Sequence, residues 1–121
     1  MRGYNDWPWY REMLGGAYLL KTSTYKHYQD MNVKVALQHP VTGVPDMRIH
    51  DETHRGMWIS PDAKVLLTTD HPTSDRPVAW INPYDKSRVV YIQLGHGKEA
   101  HREPGYRLLI KNALEWCAGR K

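Results

Sequence analysis

Apolar positions recur along this chain with a period clear enough to predict five elements. Val33, Val35 and Leu37 alternate with Asn32, Lys34 and Ala36, the pattern of a strand with one buried face, and His39-Pro40 closes it. Ala63-Lys-Val-Leu-Leu-Thr-Thr69 has a nearly unbroken apolar centre, which predicts a strand covered on both faces. Val78–Ile81 and Val89–Leu94 flank the turn-rich link Asn82-Pro-Tyr-Asp-Lys-Ser-Arg88 and predict an antiparallel hairpin. Tyr106, Leu109, Ile110, Ala113, Leu114 and Cys117 follow the three-four spacing of a core-facing helix stripe, opened by Pro104 and stopped by Gly119. Trp7–Leu14 reads as a helix with Asp6 as N-cap and Pro8 in its first turn, stopped by Gly15-Gly16.

Between these elements the pattern fades. Ala17–Asp30 is polar and aromatic without a clean period, so Lys21–Tyr28 reads as an irregular loop. Gly43, Pro45 and Gly56 frame Ile49-His-Asp-Glu-Thr-His54, read as a loop with a short extended piece, and Asp70–Arg76 reads as a turn or loop. The order helix, strand, strand, hairpin, helix is that of an α/β chain, yet such sheets normally begin with a strand. The expectation is a single domain over residues 1–121 that is either a truncated α/β domain or one completed by another chain. A sheet edge left open would also invite self-association.

Bulk properties narrow the function classes. A mean hydropathy of -0.70, and no apolar run near the roughly 20 residues of a bilayer span, exclude a membrane-spanning helix. No secretory signal begins at Met1. The net charge of +4 would favour anionic partners if it were gathered, but the basic residues are scattered singly, so no nucleic-acid partner is expected. Cys117 is the sole cysteine, which rules out an internal disulfide framework and a thiolate zinc cluster. Its core spacing predicts a buried, inert thiol.

Candidate chemistry gathers near the hairpin. His96 follows a strand and is flanked by Gly95 and Gly97, which let a ligand approach the backbone; its imidazole can donate, accept or bind metal near neutral pH. The alternative is a histidine that hydrogen-bonds its own loop. Asp51 and Glu52 are adjacent carboxylates, and on extended backbone only one of them can face a cleft shared with His96. Glu52 is the choice for that role, with Asp51 a binding candidate; the plain alternative is an acidic loop capping a turn. Two metal trios can be written, His50, Glu52 and His54, or Glu52, His96 and His101, although no metal is required by the pattern. His101 is otherwise a binding candidate. The sequence identifies no cofactor. Five Trp and eight Tyr with no Phe give aromatic rings that carry an N–H or O–H, suited to sugar faces and hydroxyls as well as to cores. Trp80 and Trp116 fit the core; Trp7, Trp9 and Tyr10 are candidates for lining a cleft.

Several landmarks in order give the chain a family resemblance: Asp6-Trp7-Pro8-Trp9-Tyr10 with Leu14-Gly15-Gly16, His39-Pro40-Val41-Thr42-Gly43, Asp51-Glu52, Pro77-Val78-Ala79-Trp80, Arg88-Val89-Val90-Tyr91, Leu94-Gly95-His96 and Asn112-Ala113 with Trp116. They resemble the trehalose-utilisation (ThuA-like) family, whose domains are similar to class I glutamine amidotransferases without the nucleophile. The resemblance covers most of the chain. It implies a flavodoxin-like, mostly parallel sheet with flanking helices, longer at its N-terminal side, so that this chain would be the C-terminal portion. Gln93-Leu94-Gly95-His96 would then stand where amidotransferases carry the histidine of their triad. One departure is the hairpin turn, where Tyr84-Asp85-Lys86-Ser87-Arg88 replaces a Tyr-Gly-Lys-Gly-Arg type of sequence; Asp85 tolerates a left-handed conformation, so an altered turn is expected and the hairpin is kept.

The resemblance implies a carbohydrate-related role, acting on a keto-sugar or trehalose-type disaccharide with His96 and Glu52 as acid/base partners. The rival is a non-catalytic sugar-binding or protein-interaction module using the same cleft. A glutaminase is the third and least favoured reading, because by the same resemblance its cysteine nucleophile would stand upstream of Met1.

Overall fold

The structure, a computed structural model, describes residues 8–120. Asp6 as helix cap and Trp7 as cleft aromatic lie outside the described residues.

A short helix α1 (Pro8–Leu14) leads through Gly15 into β1 (Gly16–Ala17). Then come β2 (Thr24–Val35), a 3-10 turn at Pro40–Thr42, β3 (Met47–Arg55), β4 (Trp58–Ile59), β5 (Lys64–Thr69), β6 (Pro77–Tyr84), β7 (Ser87–Ile92), α2 (Lys98–Arg102) and α3 (Pro104–Cys117). Five strands form one sheet in the order β3-β2-β5-β6-β7, and β1 pairs with β4 in a separate ribbon. The mixed α/β class holds. Every strand pairing among the described residues is antiparallel, so the mostly parallel, flavodoxin-like sheet is not what they form. The reason is local: short links and pairing of neighbours along the chain leave no crossover between parallel strands.

The expected strands at 63–69, 78–81 and 89–94 are found with shifted ends. In β5, Leu66 and Leu67 are both buried, as a strand covered on two faces requires. Ala79 belongs to the main core with Val33, Ile49, Leu66 and Leu109, whereas Trp80 stacks on Tyr91 at 4.3 Å and sends its indole N–H to the Leu14 carbonyl at 3.1 Å. That tie docks α1. Asn82 adds two more, its amide donating to the Glu12 and Met13 carbonyls at 2.7 and 2.9 Å, which satisfies orphan groups at the helix end. Gly15, with φ +75, is required here because a Cβ would lie 2.7 Å from the Asn82 side chain. The hairpin turn places Asp85 at φ 52, the left-handed conformation expected of it.

The strand expected at Val33 is found as the end of β2, and the largest difference from the sequence reading is that β2 begins at Thr24, in the stretch read as irregular, and that 47–55 is a long paired strand where a mostly loop segment was expected. Over Thr24–Asp30 the side chains are exposed or half-buried, so no apolar alternation marks the strand; backbone pairing to β3 holds it. Two helix positions also differ. Leu114 is 67% exposed and Cys117 is exposed, because the buried face of α3 runs through Tyr106, Leu109, Asn112 and Ala113, with Trp116 packed against the core, and leaves these two to its side.

A candidate acid/base site around Glu52

Strands β2 and β3 build the site together. Lys26 pairs with Thr53 and Gln29 with Asp51, so His27 and Tyr28 together oppose the single residue Glu52. This is a β-bulge, which breaks the alternation and re-aims a side chain. His27 is thereby turned onto the Glu52 carboxylate, its Nε2 2.5 Å from Oε2. From the next same-face position on β3, His54 Nε2 meets Oε1 at 2.7 Å. His96, beyond the end of β7, brings Nε2 to 3.4 Å from Oε2. One carboxylate, with only 8% of its side chain exposed, thus faces three imidazoles.

Burial pushes His54 below the ordinary histidine range, opposed by the charge and hydrogen bond of Glu52. His54 is therefore a neutral imidazole near pH 7, its Nε2–H donating to Oε1 and its Nδ1 lone pair buried without a partner among the described residues. His27 and His96 are each about half exposed and stack on one another at 5.2 Å.

The group stands in the wall of a cavity of about 620 Å³ between the end of α1 and strands β2, β3 and β7. Tyr18, Tyr25 and Tyr91 supply its aromatic surface, Leu14, Met57, Val90 and Ile92 its apolar surface, and Gln93 an amide whose Oε1 is also buried without a partner. Burial raises the Tyr91 phenol to about 12.

Adjacent Asp51 points to the other side of the strand, as extended backbone demands. It is fully buried, and its carboxylate accepts the Gly95 N–H at 2.7 Å, the His96 N–H at 3.1 Å and the Glu52 N–H at 2.8 Å. It fixes the loop that delivers His96. Gly95 takes φ +106, and a Cβ there would overlap the Tyr106 hydroxyl, so only glycine lets the loop turn between Asp51 and α3.

Residues 2–117 match the family ThuA, described as trehalose utilisation. The chain belongs to the ThuA family. No curated protein matches it. Among solved structures, a ThuA-like protein from Parabacteroides merdae superposes with TM-score 0.80 at 18% identity, over 96% of this chain and 56% of that one. A ThuA-like protein from Bacteroides uniformis gives 0.69 at 26% identity, over 92% and 51%. The cold-adapted β-galactosidase of Rahnella sp. R3 gives 0.60 at 16% identity, over 92% of this chain but 15% of its own. The ThuA chain described here thus spans about half the length of the ThuA-like structures it matches.

Of the residues singled out from sequence, the ThuA fold brings Glu52 and His96 together at the cavity. Asp51 and Gly95 lie behind them, in the backbone network of the loop. His101 turns away, its Nε2 2.8 Å from the Gly95 carbonyl, and His50 pairs with Asp30 at 2.9 Å, so neither sequence trio is assembled. Trp9 is 56% exposed, and neither it nor Tyr10 lines the cavity; tyrosines from β2, β7 and the α1–β2 link do. His27 was missed because it sits in the stretch read as irregular. The signal that could have found it is the density of β-favouring Thr and Tyr in Thr24-Tyr-Lys-His-Tyr28.

Other ThuA landmarks are structural. In His39-Pro40-Val41-Thr42-Gly43, His39 Nδ1 accepts the Val41 N–H at 3.1 Å and the Thr42 hydroxyl accepts the His39 N–H at 2.9 Å, a reciprocal cap on the 3-10 turn. Asn112 of α3 reaches the Val41 and Gly43 carbonyls at 3.4 and 3.5 Å, tying helix to turn.

Proposed function

We propose that this ThuA chain acts on a carbohydrate, a keto-sugar or trehalose-type disaccharide, by proton transfer at Glu52 and His96. The observation that supports this reading is the nearly buried Glu52 carboxylate, held by three imidazoles in the wall of a cavity of about 620 Å³. A carboxylate and a half-exposed imidazole 3.4 Å apart can pass a proton to and from a sugar hydroxyl or a carbon beside a keto group. Tyr18, Tyr25 and Tyr91 offer rings on which a sugar face can stack.

The test is incubation with 3-keto-glycosides and trehalose-type disaccharides, following product by mass spectrometry. Turnover is expected to fall by about 10²-fold or more in Glu52→Gln and in His96→Ala, the usual weight of a general acid or base. Full turnover in His96→Ala would sink the assignment. The other part of the reading is that residues 1–121 form the C-terminal portion of a longer amidotransferase-like domain; the half-length coverage of the ThuA-like structures supports the greater length.

A second reading is a non-catalytic sugar-binding or interaction module. It is favoured by the superposition of this fold on a minor part, 15%, of a β-galactosidase chain. Saturable sugar binding without turnover would favour it.

A further inference from the structure

Three atoms able to ligate a metal converge at the cavity wall. His27 Nε2, a Glu52 oxygen and His96 Nε2 lie within 4.8 Å of one another, on three separate segments of chain. A tetrahedral zinc site with metal–ligand distances near 2.0–2.1 Å spaces its ligand atoms about 3.3 Å apart. The His96 to Glu52 separation of 3.4 Å matches that edge, whereas it is long for a charged hydrogen bond. The His27 contact of 2.5 Å is the length of a shared proton, and a small rotation of a half-exposed ring would open it to the same edge.

We infer that His27, Glu52 and His96 form a divalent transition-metal site of two imidazoles and one carboxylate, open to the cavity. His54 completes it from behind: its Nε2–H holds Oε1 at 2.7 Å, leaving Oε2 as the ligand atom between His27 and His96. A ligating carboxylate fixed by an outer hydrogen bond is the arrangement metal centres use to set ligand orientation. Asp51 orders the third ligand by gripping the Gly95 and His96 backbone. Imidazole nitrogen with a single carboxylate favours zinc, iron(II) or cobalt over calcium and magnesium, which take oxygen ligands. Three protein ligands leave a coordination position directed at the cavity, where a sugar hydroxyl or keto oxygen would reach it. The inference rests on the reading of this cleft as functional but replaces direct proton transfer at Glu52 and His96, whose ligating lone pairs a bound metal would occupy; metal uptake is measured without sugar, so the two readings fail separately.

The experiment is titration of the EDTA-dialysed protein with Co²⁺, followed by visible absorption, and with Zn²⁺, followed by calorimetry. One equivalent is expected, with the d–d bands of low-coordinate cobalt, bleached when Zn²⁺ displaces it. His27→Ala and His96→Ala, both at half-exposed side chains and checked for fold by near-ultraviolet circular dichroism, are expected to weaken binding at least tenfold. His50→Ala, at an exposed histidine outside the group, is expected to bind as the parent does. Absence of stoichiometric uptake by the parent protein overturns the inference, as does uptake that His27→Ala and His96→Ala leave unchanged.

Discussion

Asp51 shows how much a single buried carboxylate can decide. Its two oxygens accept three backbone N–H groups, two of them in the loop that delivers His96. Asp51→Ala removes the acceptor of all three N–H groups and is expected to destabilise the fold by about 1–3 kcal/mol, read by urea unfolding. Asp51→Asn is not expected to restore it, because an amide NH₂ would face one of the donors. His39 titrates in a way that follows from its geometry. Burial and the nearby Lys64 and Arg88 charges lower its pKa, and its Nδ1 must stay unprotonated to accept the Val41 N–H. A folded pKa below the unfolded value near 6.5 gives stability that is complete above that value and is lost as pH falls through the folded one. Unfolding free energy is expected to decline from pH 7 toward pH 5 through this group, and the His39→Ala variant should lose that part of the slope.

At the scale of elements, the bulge in β2 and the tie between β6 and α1 do most to shape the cavity. Trp80 is fully buried, stacked on Tyr91 and bonded to the end of α1, so Trp80→Ala is expected to cost about 3–5 kcal/mol and to release α1 from the cavity rim. Hydrogen exchange should show the amides of α1 losing protection first. The hairpin and α3 could be read from sequence because their apolar residues recur at the periods of their own backbones. The long strand β3 and the first part of β2, Thr24–Asp30, could not. Their stabilisation is cross-strand pairing between residues distant in sequence, and the polar side chains Asp51, Glu52 and Thr53 occupy buried positions where pattern reading expects hydrocarbon. The exposed Leu114 and Cys117 are the converse case, apolar spacing beside a buried helix face that turns instead toward Asn112 and Trp116.

For the whole molecule, the site exists only in the folded state. His27, Glu52 and His96 come from β2, β3 and the loop beyond β7, and nothing holds them together in the unfolded chain. A metal bound there stabilises the fold by mass action, so free Zn²⁺ at 100 times its Kd is expected to add about 2.7 kcal/mol. Calorimetric melting with and without Zn²⁺ reads this as a rise in Tm, and His96→Ala should reduce that rise by half or more. Among the described residues no helix is long and apolar enough to cross a membrane.

The sequence by itself determined the α/β class, the terminal hairpin and helix, the family, and two of the residues at the cavity, Glu52 and His96. These follow from local periodicity, from ordered landmarks, and from the rule that neighbouring side chains on a strand face opposite ways. Only the tertiary structure decided that the sheet is antiparallel, that His27 and His54 join Glu52 where His50 and His101 do not, and that tyrosines line the cleft in place of Trp9 and Tyr10. The reason is physical: a β-bulge and a strand register are set by pairing across the sheet, and no residue's own neighbours in sequence record which distant backbone it will meet.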